Sequence, residues 1–306
     1  MSASAHSCSF VNVYARMGSF GFAKERTLRI ARARIDGQPR IIVDTAGATR
    51  LAPSDFPDDA LAAIAAVRAD VAANWDTIDA SDLELLAPVS GAGKIIAVGL
   101  NYVDHAEETG FAAPERPLTF AKYPSSITGP TTDVFVPDHL TQGIDFEAEL
   151  ALVIGRRCGG ITPATLDDVA AATVANDVSA RDVQFADAQW TRGKSFDTFT
   201  PLGPWLVTSD EFNLAASHRV YATVDGELMQ EDHTSEMIFD LPTILAFVSD
   251  GITLEPGDIV LSGTPAGAGG FRTPPRYVQH GQTVVCGVEG LGELTNRYVY
   301  RSQRTQ

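Results

Sequence analysis

Three carboxylates stand at alternate positions in "IDFEAELALVIG" (144–155): Asp145, Glu147 and Glu149. In a strand, successive side chains point to opposite faces. Phe146, Ala148, Leu150, Leu152 and Ile154 then share one face, and the three acids share the other. Neighbouring carboxylates repel and resist desolvation, yet these precede one of the oiliest runs in the chain. Two readings are open: a charged strand face turned to solvent, or acids converging on a hard divalent cation. Residues two apart on a strand are roughly 6.5–7 Å apart at Cα, within the reach of glutamate side chains. A second acidic cluster, "ANDVSARDVQF" (175–185), offers Asp177 as a third oxygen ligand. With no His or Cys cluster nearby, an all-oxygen set selects Mg²⁺, Mn²⁺ or Ca²⁺ over zinc. Chelation requires Asp177 to lie beside Glu147 and Glu149, with no lysine filling the space between them.

The elements that must position these residues divide the chain in two. "TLRIARARIDGQPRIIVDTAGATRLA" (27–52) reads as short strands broken at Asp36-Gly37 and Ala46-Gly47. In "DDALAAIAAVRADVAANW" the apolar residues Leu61, Ile64, Val67 and Val71 follow a helical period. A Pro/Gly/Ser-rich connector, "LLAPVSGAGK" (85–94), follows. Residues 1–90 are therefore read as a small N-terminal α/β module and 91–306 as the larger, catalytic domain. The latter holds short β-like runs ("KIIAVGL", "AELALVIG", "PLGPWLVT", "HRVYATVDGEL", "GDIVLSGT", "TVVCGVEGLGELTNRYVY"). A few helices lie between them, among them "TPATLDDVAAATV" and "FDLPTILAFVSD". This is an α+β pattern of mixed sheets with few helices.

The 306 residues are 44% hydrophobic and 20% charged, sufficient for a large core. With 39 acidic against 23 basic residues the net charge is −16, which disfavours nucleic acid and anionic membranes as partners. Cys8, Cys158 and Cys286 are widely spaced and unpaired in pattern, as reduced cytoplasmic thiols are. No apolar run reaches the roughly 20 residues of a membrane span. The Ser-rich start, acid-free until Glu25, faintly resembles a transit peptide but lacks its dense arginines, and reads as a plain extension. "TRGKS" (191–195) fails the P-loop spacing because position 188 is Ala188, and "TPAGAGG" lacks GxGxxG spacing. There is no GxSxG, HExxH or EF-hand pattern.

Five motifs occur in one order: "VGLNYVDHAEETG" (98–110), "DFEAEL" (145–150), "NDVSARDVQ" (176–184), "GKSFDTFTPLGPWLVT" (193–208) and "LEPGDIVLSGTPAG" (254–267). Together they resemble the fumarylacetoacetate hydrolase family, over roughly 94–300. The resemblance implies a mixed β-sheet roll or sandwich of that family's C-terminal type, and usually a homodimer. It implies Glu147, Glu149 and Asp177 as ligands of Mg²⁺ or Mn²⁺. It implies His105, Glu108 and Lys194 as catalytic groups, and Arg181, Gln184 and Thr264 as contacts to a small anionic 2-oxo acid. His105 and Glu108, three apart, suit one side of a helical turn, as a base and its orienter; a solvated helix start is the plain alternative. Lys194 would hold an oxyanion, or be an ordinary surface cation. Arg181 would bind a distal carboxylate through its fork, or pair with Asp182 or Asp187; Arg192 is a further cation without a motif.

"SGTPAG" (262–267) reads as a tight turn or as a loop whose N–H groups cradle a carboxylate. Relatives carry Gly-Val-Gly where this chain has "GAGGFRTPPRYV", a change expected to widen or loosen the loop. Asn101 stands near where some members place a fourth carboxylate, so three protein ligands are expected. Asp133, Asp145, Asp197 and Asp240 read as turn, cap or solvated residues.

A 2-oxo acid chelated through its carboxylate and keto oxygen gives an enolate stabilised by the cation. Attack of water on a neighbouring carbonyl then hydrolyses a 2,4-dioxo acid of the acylpyruvate or fumarylpyruvate type. This is the expected reaction, because it gives His105 and Glu108 a use. Decarboxylation or isomerisation of a 2-oxo diacid, oxaloacetate or an aromatic-catabolism intermediate, is the alternative. A metal-stabilised binding protein is the non-enzymatic one.

Overall fold

The computed structural model describes residues 28–45, 47–67, 72–80 and 83–302. The Ser-rich start with Cys8, and the helix position Val71, lie outside the described residues.

Two sheets carry the fold. The larger has a ten-strand path whose order is Asp76–Thr77, Ala48–Leu51, Gln38–Thr45, Leu28–Ile35, Thr200–Thr208, Val169–Asn176, Ala148–Ile154, Ile259–Leu261, Ile95–Gly99 and Leu118–Lys122. Along that path the pairing is antiparallel except between Ile259–Leu261 and Ile95–Gly99. The second sheet runs Glu227–His233, Arg219–Val224, Thr283–Val288, Gly292–Arg301 and Val134–Pro137. Leu150 and Leu152 on one face of the central strand pack with Val220, Ala222 and Val284 of the second sheet. Ala151 and Val153 on its other face pack with Ile259 and the N-terminal residues Ile30, Ile41 and Leu61. Burial on both faces is why this strand is apolar beyond Glu149 without alternation.

The expected hairpin forms with the two-residue turn Asp36-Gly37, both at positive φ (51° and 77°). That backbone is a hairpin turn matched to strand twist, which an Asp-Gly pair accommodates. The hairpin is not set apart from the rest: Arg29 and Ile30 pair with Val207 and Leu206 in the main sheet. Residues on both sides of the connector thus share one sheet and one core.

Two helices start where expected. Asp59 caps Ala60–Ala66 through Ala62 N, and Asp240 caps Leu241–Ser249 through Thr243 N. The other expectation is corrected: "TPATLDDVAAATV" is no helix but a short 3₁₀ turn, Leu166–Asp168, leading into the strand Val169–Asn176. Its alanines lie in a strand pressed on both faces, with Ala171 and Ala175 towards one core and Ala172 and Val174 towards the other. Small side chains there reflect tight packing, and tertiary contact overrides helix propensity. Among the described residues no helix is long and apolar enough to cross a membrane.

Candidate active site

Backbone register brings the two acidic segments together. Ala148 pairs with Asn176, Asp145 with Ser179, and the Asp177 N–H donates to Glu147 O at 2.9 Å. Between the short strand Ile144–Asp145 and the long one from Ala148, the chain leaves regular pairing. Glu147 sits in that break. The result is a buried triad, Glu147, Glu149 and Asp177, with one carboxylate oxygen from each within 4.8 Å of the others. The solvent-facing reading of this strand is excluded, since all three are at most 5% exposed.

The space between them is not free. Lys194 Nζ lies 2.7 Å from Glu147 Oε2 and 2.6 Å from Asp177 Oδ2. This departs from the requirement that no lysine stand there. A second buried lysine, Lys122, lies 2.5 Å from Asp177 Oδ1 and donates to Phe199 O. Arg181 Nη2 approaches Glu147 Oε1 at 2.6 Å. The two lysines share a partner yet diverge. Burial lowers both, but two carboxylates outweigh it at Lys194, whose pKa rises, and one does not at Lys122, whose pKa falls. Burial likewise pushes Glu147 up, but Lys194 and Arg181 overcome it and hold its carboxyl well below the usual range.

Glu149 is the member of the triad without a cationic partner. Its Oε2 accepts the Gly263 N–H at 2.7 Å, while burial first, and then the charges of Asp177 and Glu147, push its carboxyl well above the ordinary value. Among the described residues of this site, four buried carboxyls, counting Asp145, thus face three buried cations, and Glu149, the one left without a cation, is biased towards its protonated form. Three carboxyls whose oxygens converge fit a hard divalent cation, which would displace the proton that Glu149 favours. Binding one among all three acids requires Lys194 to yield an oxygen.

A carboxyl raised in the folded state contributes stability that is full below its unfolded value and lost as pH rises through its folded value. Without divalent ions the melting temperature should therefore fall with rising pH across that window. Added Mg²⁺ should restore it with proton release, and Glu149→Gln should flatten the profile and blunt the Mg²⁺ response. Thermal melts against pH, with chelator and with Mg²⁺, read all three; an unchanged slope in the Gln variant sinks the assignment.

His105 and Glu108 lie on the helix Val103–Thr109, with His105 Nδ1 and Glu108 Oε1 2.7 Å apart. The solvated alternative does not hold, since His105 is buried and meets the Phe271 ring edge-on at 5.6 Å. The other oxygen of Glu108 accepts the Gly267 N–H (2.9 Å), and Asp104 accepts that of Ala266 (3.3 Å). The "SGTPAG" loop does cradle carboxylates, as one reading had it, but they are the protein's own. Continuing, Gly269 and Gly270 donate to Asp145 at 2.8 and 2.9 Å.

Asp145 is correspondingly neither turn nor solvated residue: it is fully buried and also accepts from Arg181 Nε at 2.8 Å. The glycine-rich stretch is tight, not loosened. A Cβ on Gly269 would lie 2.0 Å from Arg276 O, and one on Gly270 2.9 Å from Asp145 Oδ2, so the extra glycine permits the close approach.

Arg181 pairs with neither Asp182 nor Asp187; besides Asp145 and Glu147 it donates to Gln184 Oε1 at 3.0 Å. Arg192 is the residue that pairs with Asp187, on the surface. The Thr264 hydroxyl donates to Ala148 O and accepts from Gln230 Nε2, both at 2.9 Å, so it is already used within the fold. Asn101 is spent on the backbone of Phe239 and Ser262 and is no fourth ligand. His105, Glu147, Glu149, Arg181, Gln184, Lys194 and Thr264 nonetheless line one pocket, while Asp177 and Glu108 support it from behind. Lys122, Gln230 and Phe271 have no place in the sequence reading, and Asp145 has the wrong one. Only Asp145 carried a signal, its place in the acidic alternation.

The profile of the fumarylacetoacetate (FAA) hydrolase C-terminal family matches residues 94–299. Among curated relatives, "Oxaloacetate tautomerase FAHD2B, mitochondrial" of Bos taurus is 41% identical over 249 residues, 80% of this chain and 79% of the relative. The human "Oxaloacetate tautomerase FAHD2A, mitochondrial" is 41% identical over 250 residues, with the same coverage. Of solved structures, the fumarylacetoacetate hydrolase of Exiguobacterium antarcticum has a TM-score of 0.81 at 39% identity, covering 90% of this chain and all of that one. The 2-hydroxyhepta-2,4-diene-1,7-dioate isomerase of Mycobacterium marinum has a TM-score of 0.71 at 32% identity, covering 90% and 99%. With the family profile spanning two thirds of the sequence and the motif residues gathered in one pocket, this chain belongs to the fumarylacetoacetate hydrolase family and is an enzyme.

Proposed function

We propose that the chain catalyses keto–enol isomerisation of a small 2-oxo acid, with oxaloacetate as the first substrate to try and Mg²⁺ or Mn²⁺ as the cation. The relatives named tautomerase and isomerase shift the weight from the hydrolysis expected from sequence to this alternative. The observation that carries it is the His105–Glu108 pair at 2.7 Å, in a pocket whose floor holds Glu147, Glu149 and Lys194.

Glu108 engages Nδ1, which leaves Nε2 as the nitrogen that exchanges a proton with substrate. His105 takes the proton from the carbon beside the ketone and returns it to the enol oxygen, or runs the exchange in reverse. A bound divalent cation would supply polarisation of the keto oxygen from the Glu147, Glu149 and Asp177 side. Lys194, kept protonated by its carboxylates, adds positive charge where the oxyanion develops.

Hydrolysis of a 2,4-dioxo acid stays as the second reading for one reason: the same His105–Glu108 pair would also take a proton from a water in the pocket. Oxaloacetate and an acylpyruvate, each with Mg²⁺, decide between them. Isomerisation speeds the decay of enol absorbance with no pyruvate formed. Pyruvate and CO₂ from oxaloacetate make the chain a decarboxylase, and cleavage of the acylpyruvate makes it a hydrolase. A homodimer belongs to the same proposal and is read by light scattering. A cytoplasmic location does too, although the bovine and human relatives are named mitochondrial.

A further inference from the structure

Each carboxylate of the triad has one oxygen already held by the fold. Lys122 Nζ lies 2.5 Å from Asp177 Oδ1, and Arg181 Nη2 stands 2.6 Å from Glu147 Oε1. The Gly263 N–H donates to Glu149 Oε2 at 2.7 Å. The opposite oxygens of Glu147 and Asp177 are the ones that meet Lys194. Asp177 is thus gripped by two lysines, one on each oxygen.

These lysines differ in their freedom to let go. Lys194 lines the pocket, and its ammonium stands between the two oxygens that an ion would need. The Lys122 side chain is wholly buried behind that lining and is tied a second time, to Phe199 O at 3.0 Å. Its strand, Leu118–Lys122, is fixed in the main sheet by pairing with Ile95–Gly99. Giving up Oδ1 would leave a buried ammonium with a single carbonyl, an uncompensated charge of the costly kind. Oδ1 therefore stays with Lys122 when Lys194 yields Oδ2.

The number of oxygens left over bears on the size of the ion. Ca²⁺ takes about six to eight oxygens, often both from one carboxylate. Mg²⁺ is smaller, demands an octahedron, and keeps water on the positions the protein does not fill. One oxygen from each of three acids fills half an octahedron. A 2-oxo acid and one water complete it, whereas Ca²⁺ would be left short of ligands.

We propose that Lys122 is a positioning residue that restricts Asp177 to a single ligating oxygen and thereby sets the site against Ca²⁺ in favour of Mg²⁺. This rests on the cation reading of the acidic triad but not on the reaction, so the test is ion binding. The full chain, stripped with chelator, is titrated calorimetrically with Mg²⁺ and with Ca²⁺, unaltered and as Lys122→Met and Lys122→Arg. Both ions carry the same charge. The ratio of their affinities therefore cancels the general gain that follows loss of a nearby ammonium, and reports the available oxygens.

The unaltered protein should bind Mg²⁺ more tightly than Ca²⁺. Lys122→Met frees Oδ1 and should shift the affinity ratio at least about tenfold towards Ca²⁺. Lys122→Arg keeps a cation on that oxygen and should hold the ratio within about threefold. Tighter Ca²⁺ binding by the unaltered protein, a ratio unmoved in Lys122→Met, or an equal shift in Lys122→Arg overturns the inference. The preference of the unaltered protein needs no variant, so it decides alone should Lys122→Met not fold. Binding of neither ion removes the cation from the proposed reaction and this inference with it, whereas a reversed preference removes only the role of Lys122.

Discussion

Lys194→Met should destabilise the cation-free protein by about 3–5 kcal/mol, the usual cost of removing one partner from a buried ion pair. The substitution leaves Glu147 and Asp177 facing each other across an emptied gap, 2.7 and 2.6 Å from where the ammonium stood. Methionine fills a similar volume, so the loss is electrostatic. Mg²⁺ should then restore stability, and its effect on the melting temperature should be larger in the variant than in the unaltered chain. The reason is competition: ammonium and divalent ion seek the same two oxygens, and deleting the ammonium removes the rival. Turnover should nevertheless fall by about 10²–10³, because positive charge beside the developing oxyanion is lost. A Mg²⁺ response smaller than that of the unaltered chain would show that lysine and metal occupy separate places. The roles of Lys194 would then need to be reassigned.

This lysine also shows where sequence stops being informative. "GKSF" announces a residue of interest, but only folding decides that its ammonium lies between Glu147 and Asp177. Strand alternation put Asp145, Glu147 and Glu149 on one side, and the burial of "LALVIG" argued that the acids needed a partner. Asp177 was legible as a separate oxygen donor for the same reason, an acid at the end of an apolar run.

Lys122 was not legible. It closes the strand Leu118–Lys122, whose earlier residues are mostly exposed, and nothing local separates it from a surface lysine. Its burial is set by the approach of Asp177 and Phe199, 55 and 77 residues away. Asp145 failed differently. The alternation included it, but its partners are Arg181, 36 residues away, and the backbone amides of Gly269 and Gly270, and backbone amides leave no trace in side-chain identity. The alanine-rich segment after Asp168 was misread because alanine favours a helix locally, while a strand packed on both faces demands small residues. Local pattern therefore gave the acids, and long-range pairing gave what neutralises and holds them.

Glu108→Gln should cost about 10²–10⁴ in turnover, as much as His105→Asn, while leaving the melting temperature nearly unchanged. Glu108 has two tasks in the structure: Oε1 faces His105 Nδ1, and Oε2 accepts the Gly267 N–H. A glutamine has one oxygen. If it keeps the loop contact, its NH₂ group faces Nδ1 and forces that nitrogen to accept. The imidazole proton then moves to Nε2, and the nitrogen aimed at substrate becomes a donor that takes no proton from carbon. Geometry survives and the base does not. Glu108→Ala, by contrast, gives up the loop anchor as well and should lose about 1–3 kcal/mol of stability on top of turnover. Steady-state rates and thermal melts on the three variants separate these effects. A Gln variant within threefold of the unaltered rate would mean that His105 works without a fixed tautomer, and Glu108 would then be an anchor for the helix and nothing more.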